Sequence, residues 1–173
     1  MKPITLILVC FLTATAYSQT SLNLELQVYP TGIIPGVRIE KQVGNKTLAH
    51  LRVGLNIFDH RDLGVQDEES GAGYGFTLGV SRLLKKNFEL GIRNDIWFNN
   101  VDWVDNTGPS PFPGETSITV LQPTIELGYR HQGERLIIKP TLAFGLEWNV
   151  ITDGEPTGEG PIVLVGVIIG KSK

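Results

Sequence analysis

Charged side chains occupy every second position in several short segments of this chain. Glu25 alternates with leucines, and Arg38 and Glu40 alternate with Val37 and Ile39 in the next segment. Acids and bases are nearly equal in number on this polar face, which suits either a proton or ion path or a set of mutually paired charges. The complete set is Glu25, Arg38, Glu40, His50, Arg52, Glu89, Arg93, Asp95, Glu126, Arg130, Lys139 and Glu147.

Residues typical of catalysis or metal binding are sparse. His60 and Ser70 share one segment, but no acid stands at a spacing that would orient them, and a catalytic triad is defined by its geometry. Asp67, Glu68 and Glu69 offer oxygen ligands suited to Ca²⁺ or Mg²⁺, without the spacing of an EF-hand loop. We therefore predict no enzymatic activity, no catalytic residue, no cofactor and no metal, with cation binding by the acidic run as the alternative.

The charges lie on eight segments in which apolar and polar residues alternate. In the third segment, for example, Leu51, Val53 and Leu55 alternate with Arg52 and Gly54. A period of two is typical of strands and not of helices. The predicted strands cover residues 21–29, 33–42, 47–58, 74–83, 88–98, 117–130, 135–150 and 162–170.

Short and long connections alternate between these strands. Apart from a short first turn at 31–32, the long links all fall on one side of the predicted sheet, and they contain eleven acids against Arg61 as the single base. The opposite end is rich in lysine and arginine, and this asymmetry predicts that the long links form an outer surface. The tight turns are predicted at 44–46, 85–86 and 132–133, and the long links at 59–73, 99–115 and 151–161.

The alternation fits a barrel whose apolar face is turned either outward or inward. Glycines such as Gly54, Gly79 and Gly91 concentrate on the polar face, where a narrow lumen needs room for neighbouring Arg and Glu side chains. The apolar face is bulky on every strand, and aromatic residues stand near the strand ends, as on a membrane-facing surface. A membrane barrel is therefore predicted; the alternative is a secreted soluble, lipocalin-like barrel that carries a small apolar ligand.

In this pattern of strands and connections, the chain resembles the small eight-stranded outer-membrane barrel proteins of the OmpA/OmpX-like kind. The resemblance implies an all-β fold, an eight-stranded antiparallel up-and-down transmembrane β-barrel in the outer membrane. It also implies outer-membrane lipids and the barrel-assembly machinery as partners. Proteins of this kind often end in an aromatic residue, whereas this chain ends Lys171-Ser172-Lys173. The junction of Ser18 and Gln19 resembles signal peptides common in Bacteroidetes-type bacteria.

The first eighteen residues have the features of a secretory signal peptide. Lys2 precedes an apolar run, and Ala16 and Ser18 fit a cleavage site after residue 18. The remainder, 19–173, is predicted to be a single β-barrel domain and a monomer. The only cysteine falls in the signal peptide, and removing Lys2 takes the net charge from −3 to −4, which argues against nucleic acid as a partner.

Two turn positions predict specific partners across the sheet. A two-residue turn at 31–32 places Glu25 opposite Arg38, and one at 132–133 places Glu126 opposite Lys139. An eight-stranded barrel is just wide enough to be filled by its own side chains. We therefore predict a lumen plugged by paired charges.

The longest link, 99–115, is the predicted surface-binding segment. It is rich in proline and holds Trp103 and Phe112, which we expect to be exposed apolar anchors. Loops on a rigid scaffold frequently carry binding. The predicted role of the protein is accordingly structural or surface-binding.

Overall fold

The computed structural model describes residues 20–61, 67–106, 108 and 110–172, so the predicted signal peptide lies outside the described residues. In the described part of the chain, the regular structure consists of strands and one short 3-10 turn at Lys85–Asn87. Within these ranges, no helix is long and apolar enough to cross a membrane. The strands are β1 (Thr20–Tyr29), β2 (Gly32–Gln42), β3 (Thr47–Arg61), β4 (Glu68–Leu83), β5 (Phe88–Asp105), β6 (Phe112–Tyr129), β7 (His131–Gln132), β8 (Leu136–Asp153) and β9 (Gly160–Lys171).

Eight long strands close into a barrel. Strands β1 to β6 pair antiparallel in chain order. Strand β6 then pairs with β8, β8 pairs with β9, and β9 pairs with β1 to close the ring. The two-residue strand β7 follows β6 in the chain and also pairs with β8. This closed up-and-down order confirms the predicted fold class, and closure removes the unpaired edges that an open sheet would present.

The barrel has its polar side chains inside and its apolar side chains outside. On β1, Leu24 is 65% exposed, whereas its neighbour Glu25 is 2% exposed. The same alternation runs around the ring, because successive strand residues point to opposite faces of the sheet. This arrangement excludes the lipocalin-like alternative, whose apolar residues would have to line the interior.

The apolar exterior forms a belt of the height expected for a bilayer. On β5 it runs from Phe88 to Phe98, and ten steps of about 3.3 Å on a strand tilted by about 40° rise about 25 Å. Phe88 packs edge-on against Tyr129 at one end, with ring centroids 5.3 Å apart, and Phe98 packs against Tyr74 at the other end at 5.4 Å. Aromatic pairs at both limits are typical of the two membrane interfaces.

The strands extend farther beyond this belt than the sequence predicts. Asp59 pairs with Ser70, and Asp102 pairs with Glu115, so residues assigned to long links belong to the strand ladder. The predicted boundaries of the three links are therefore wrong. The Gly, Asn and Asp content of these segments indicates loops, but hydrogen bonding to a neighbouring strand outweighs that weak local preference. The connections that remain are 62–67, 106–111 and 154–159.

Two turns lie elsewhere than predicted, which changes the register. Tyr29 pairs with Gly32, so the first turn is 30–31, where proline presets the backbone angle of the first central residue. Glu25 consequently faces Gly36 rather than Arg38.

The later turn is also displaced, in this case toward the C-terminus. Gly133 donates its N–H to the carbonyl of Leu136, which places the turn at 134–135, and Glu126 therefore faces Ala143 rather than Lys139. Both predicted cross-strand partners are wrong, because every residue of displacement at a turn centre moves the partner by two positions. The first turn lies one residue earlier than predicted and the later turn two residues later, so the partners move by two and by four positions.

Candidate functional site: the barrel lumen

Three acids and two arginines form the centre of the lumen. Arg93 Nη1 lies 2.8 Å from Glu25 Oε1 and 2.9 Å from Glu126 Oε2, and its Nη2 lies 2.8 Å from Asp95 Oδ1. Arg52 lies 3.0 Å from Glu25 and 2.7 Å from Asp95. These five side chains come from four strands and are buried, so each charge depends on its partners for the stabilisation that water would otherwise supply.

A second group of charges lies nearer the end with tight turns. Lys139 Nζ is 2.6 Å from Glu89 and 3.1 Å from Glu40, and Arg130 contacts Glu40 and lies 3.6 Å from Glu89. Arg38 joins this group to the centre, because its guanidinium reaches Glu40 at 3.3 Å as well as the central acids. The two groups are therefore one continuous network.

Charge is balanced across this network. Arg38 reaches Glu25 at 3.3 Å even though the two residues are not opposite each other, because a guanidinium spans the diagonal between neighbouring strands. His50 Nδ1 lies 2.9 Å from Arg38 Nη2 and must act as the acceptor, since arginine offers only donors. Five acids meet five bases: Glu25, Glu40, Glu89, Asp95 and Glu126 with Arg38, Arg52, Arg93, Arg130 and Lys139.

Glu147 is the one predicted lumen residue that this network does not include. It faces the interior from β8, but it lies near the outer mouth, where its hydrogen-bonding neighbour is the neutral side chain of Gln122. Among the described residues, no Lys or Arg lies within ion-pair distance of its carboxylate. The structure thus brings eleven of the twelve predicted residues into one network, and Glu147 lies outside it.

An apolar layer separates the charges from the outer mouth, and the sequence analysis missed it. Its largest member is Trp97, which has no exposed surface. Two sequence features could have revealed this layer: Trp97 falls on the polar phase of β5, and β9 offers apolar residues on both faces. The layer consists of Ile34, Trp97, Val101, Ile118, Val120, Ala143, Ile162 and Leu164.

Inward-facing glycines accommodate the Trp97 ring. A Cβ at Gly75 would overlap the ring directly, and one at Gly54 would lie 3.6 Å from it. The Arg52 guanidinium lies 5.3 Å from the ring centroid, a cation–π distance, so the tryptophan connects the apolar layer to the charges beneath it. Trp97 Nε1 also donates to Gln122 at 3.3 Å, which satisfies the polar atom of the indole.

The face assignment on β6 requires one correction. Their residue types predict a polar Thr119 facing the lumen and an apolar Val120 facing the lipid, but Thr119 pairs with the lipid-facing Phe98, and Val120 points inward with 3% of its surface exposed. The register between β6 and β8 shifts between these two residues, leaving Val150 as an extra residue on β8. The bulge changes which residues of β8 face inward beyond Val150, whereas β6 alternates without a break, so Thr119 faces outward like Leu121.

The predicted surface anchors have different environments. Phe112 is 66% exposed at the start of β6. Trp103 is 6% exposed, and its Nε1 donates to Thr116 Oγ1 at 3.0 Å, so the expectation that it is exposed is wrong. Trp103 packs inside the extended wall because residue 103 continues the inward phase of β5 beyond the membrane belt.

The residues considered for catalysis do not come together. His60 faces the lumen side, where its Nε2 lies 3.3 Å from Glu69, whereas Ser70 is on the outward face beside Asp59 and Asp102. A serine and a histidine on opposite faces of one sheet cannot share a proton. Among the described residues, no group of three or more His, Cys, Asp or Glu side chains is arranged to hold a metal ion.

Comparison with known proteins finds a match in structure alone. No protein-family model and no curated protein matches the chain. The fold is similar to Ail, the attachment invasion locus protein of Yersinia pestis, with 9% identity, 89% of this chain and 94% of that chain covered, and a TM-score of 0.51. It is also similar to Neisserial surface protein A, with 6% identity, coverage of 90% and 96%, and a TM-score of 0.50. The N-terminal barrel domain of Pseudomonas aeruginosa OprF aligns with 12% identity, coverage of 88% and 96%, and a TM-score of 0.46.

The closed ring of strands and its lipid-facing exterior define an outer-membrane β-barrel protein. Within that class, the chain has the fold of the small eight-stranded barrels of the OmpA/OmpX-like kind, which confirms the resemblance seen in the sequence. At identities this low, the similarity concerns the fold, and the role of the protein has to be argued from its own residues.

Proposed function

We propose that the protein is a non-conducting outer-membrane barrel with a structural or surface-binding role, whose lumen is a plug and not a path. The observation that carries the proposal is the filling of the lumen by two successive layers. A network of balanced charges fills the half nearer the tight turns, and an apolar layer lies above it. An ion crossing the barrel would have to displace both layers.

The apolar layer favours a plug over an ion path. A chain of charged groups can pass a proton or an ion only while polar groups or water continue along the route. Trp97, Leu164 and Ala143 have no exposed surface, so no solvent reaches the interior beside these side chains. Burying an ion among such side chains without partners costs several kcal/mol or more.

The extended outer wall supports a surface role. Strands β3 to β6 continue beyond the aromatic limit of the belt, where the outward face carries Asp59, Asp102 and Glu115 and the exposed ring of Phe112. The opposite faces occupied by His60 and Ser70 support the absence of enzymatic activity. We expect a monomer that is inserted by the barrel-assembly machinery and surrounded by outer-membrane lipids.

Conductance across a planar bilayer tests the plug. We expect the purified protein to give no steady single-channel current, because both layers fill the lumen. A variant that removes large side chains from both layers, Arg38→Ala, Arg93→Ala and Trp97→Ala together, is expected to conduct if it folds. Folding is checked by the heat-dependent shift in gel migration that folded barrels show.

The comparison separates a plug from a path. Reproducible currents from the unaltered protein would overturn the proposal and assign the lumen charges to transport. The absence of current from the unaltered protein, together with currents from the folded triple variant, would support the proposal. The currents of the variant would show that the measurement detects an open lumen.

A further inference from the structure

A small cavity lies at the outer mouth of the lumen, above the apolar layer. Its volume is about 70 Å³, and its floor is formed by Val101, Ile118 and Val120. Polar side chains from five strands, β1, β3, β4, β5 and β8, form its walls. None of the five acids and five bases of the charge network lines this cavity, whereas three members of the apolar layer do.

The connection between β8 and β9 covers the cavity. Thr157 is 4% exposed, and its hydroxyl oxygen accepts a hydrogen bond from Asn149 Nδ2 at 3.2 Å. Gly158 N–H donates to Glu69 Oε2 at 3.5 Å from the other side. Gly154 and Gly160, at the two ends of the connection, have φ of +122° and +139°, a region that glycine adopts without strain. The connection is thus held down by side chains and bounded by flexible residues.

Acidic side chains distinguish the lining of the cavity. Two carboxylates, Glu69 and Glu147, line it, whereas the lining contains no Lys or Arg. Glu69 is paired with His60 at 3.3 Å. The Glu147 carboxylate has Gln122 as a neutral neighbour, and one amide leaves most of its acceptor positions open.

Two further atoms of the lining are unsatisfied acceptors. Asn149 Oδ1 is buried without a hydrogen-bond partner, while its Nδ2 is oriented by Thr157. His60 Nδ1 is likewise buried and unpaired, and it is an acceptor when the neutral ring donates its Nε2–H to Glu69. Buried polar atoms are almost always paired in native proteins, so two acceptors in one cavity that no protein donor reaches favour a ligand that carries hydrogen-bond donors.

We propose that this cavity binds the ammonium group of a small primary amine. An ammonium carries three donors and a positive charge, which complement the Glu147 carboxylate, Asn149 Oδ1 and His60 Nδ1. The rings of Tyr29 and Phe58 also border the cavity and offer the π faces that attract cations. The small volume of the cavity favours a small ammonium, and a longer amine would leave its chain toward the outer connection.

The site goes beyond the proposed plug and depends on different residues. A ligand enters from the outer side by displacing the connection 154–159, and the apolar floor stops it there. The inference therefore concerns binding at the cell surface and not passage through the barrel.

An NMR titration of the purified protein in detergent micelles tests the site. The backbone amide signals of Asn149, Thr157 and Gly158 are followed as methylammonium chloride is added, with sodium chloride and tetramethylammonium chloride as references at equal ionic strength. We expect saturating shifts with methylammonium alone, because sodium lacks N–H donors and tetramethylammonium is both larger and without donors.

A matched pair of variants tests whether the charge of Glu147 contributes to methylammonium binding. Glu147→Gln keeps the shape of the side chain but replaces a charge-assisted hydrogen bond by a neutral one, which we expect to weaken methylammonium binding about tenfold. Glu115→Gln removes an exposed outward-facing acid and is expected to leave the affinity unchanged. If Glu147→Gln does not fold, Asn149→Ala takes its place with the same expected direction.

Three results would overturn the inference. The first is an equal response to sodium and methylammonium, which would show only a counterion near the acids. The second is a shift that grows linearly without saturating, and the third is unchanged affinity in the folded Glu147→Gln or Asn149→Ala variant.

Discussion

Replacing Glu25 by alanine is expected to lower the free energy of unfolding by about 3–5 kcal/mol, the usual cost of removing one partner from a buried charge pair. Glu25 accepts from Arg38, Arg52 and Arg93 at 2.8–3.3 Å, so its loss leaves an excess positive charge in a closed lumen. The measurement is a urea titration in detergent micelles, with gel migration reporting the folded fraction.

A second substitution tests whether the loss comes from charge imbalance. Adding Arg93→Met to Glu25→Ala restores equal numbers of acids and bases, so the double variant should lose less than the sum of the two single losses. Asp102→Ala is the control, because this acid is exposed on the outward face and should cost no more than about 0.5 kcal/mol. Additive losses would show that Glu25 and Arg93 do not act as partners.

The second large effect is expected at Trp97. Trp97→Ala should lower the free energy of unfolding by about 3–5 kcal/mol, because it opens a cavity in a closely packed layer. It also removes the ring that Arg52 contacts and the donor to Gln122, which adds to the loss. The same urea titration applies, with gel migration as the probe because a tryptophan is removed.

The outer surface offers a control of the same residue type. Trp148 lies on the lipid-facing side near the rim and keeps 46% of its surface exposed, so Trp148→Ala should cost about 1–2 kcal/mol. Equal losses at the two positions would contradict the assignment of Trp97 to a packed internal layer. A larger loss at Trp148 would place the main stabilisation of the barrel at its membrane interface.

Much of the candidate site was predictable residue by residue. Glu25, Arg38, Arg52 and Arg93 stand on the polar phase of their strands, and strand periodicity places such residues on one face without any knowledge of the register. Trp97 also stands on that phase, but an apolar residue type does not by itself indicate a position inside the lumen. The cavity beside Glu147 was beyond prediction, because it depends on how the connection 154–159 folds back over the mouth.

The sequence by itself determined the fold class, the inward and outward faces of most strands and the membrane belt. These properties follow from a period-two pattern that most strands repeat, so an error at one position does not change the result.

Only the tertiary structure decided the turn centres, the ends of the extended strands and the partners of each charge. Glu25 meets Arg38 diagonally and not across a strand pair, and Val150 forms a bulge that reverses the phase beside it. These features depend on contacts between segments far apart in the chain, whose energies outweigh the weak local preferences of turns and strand ends.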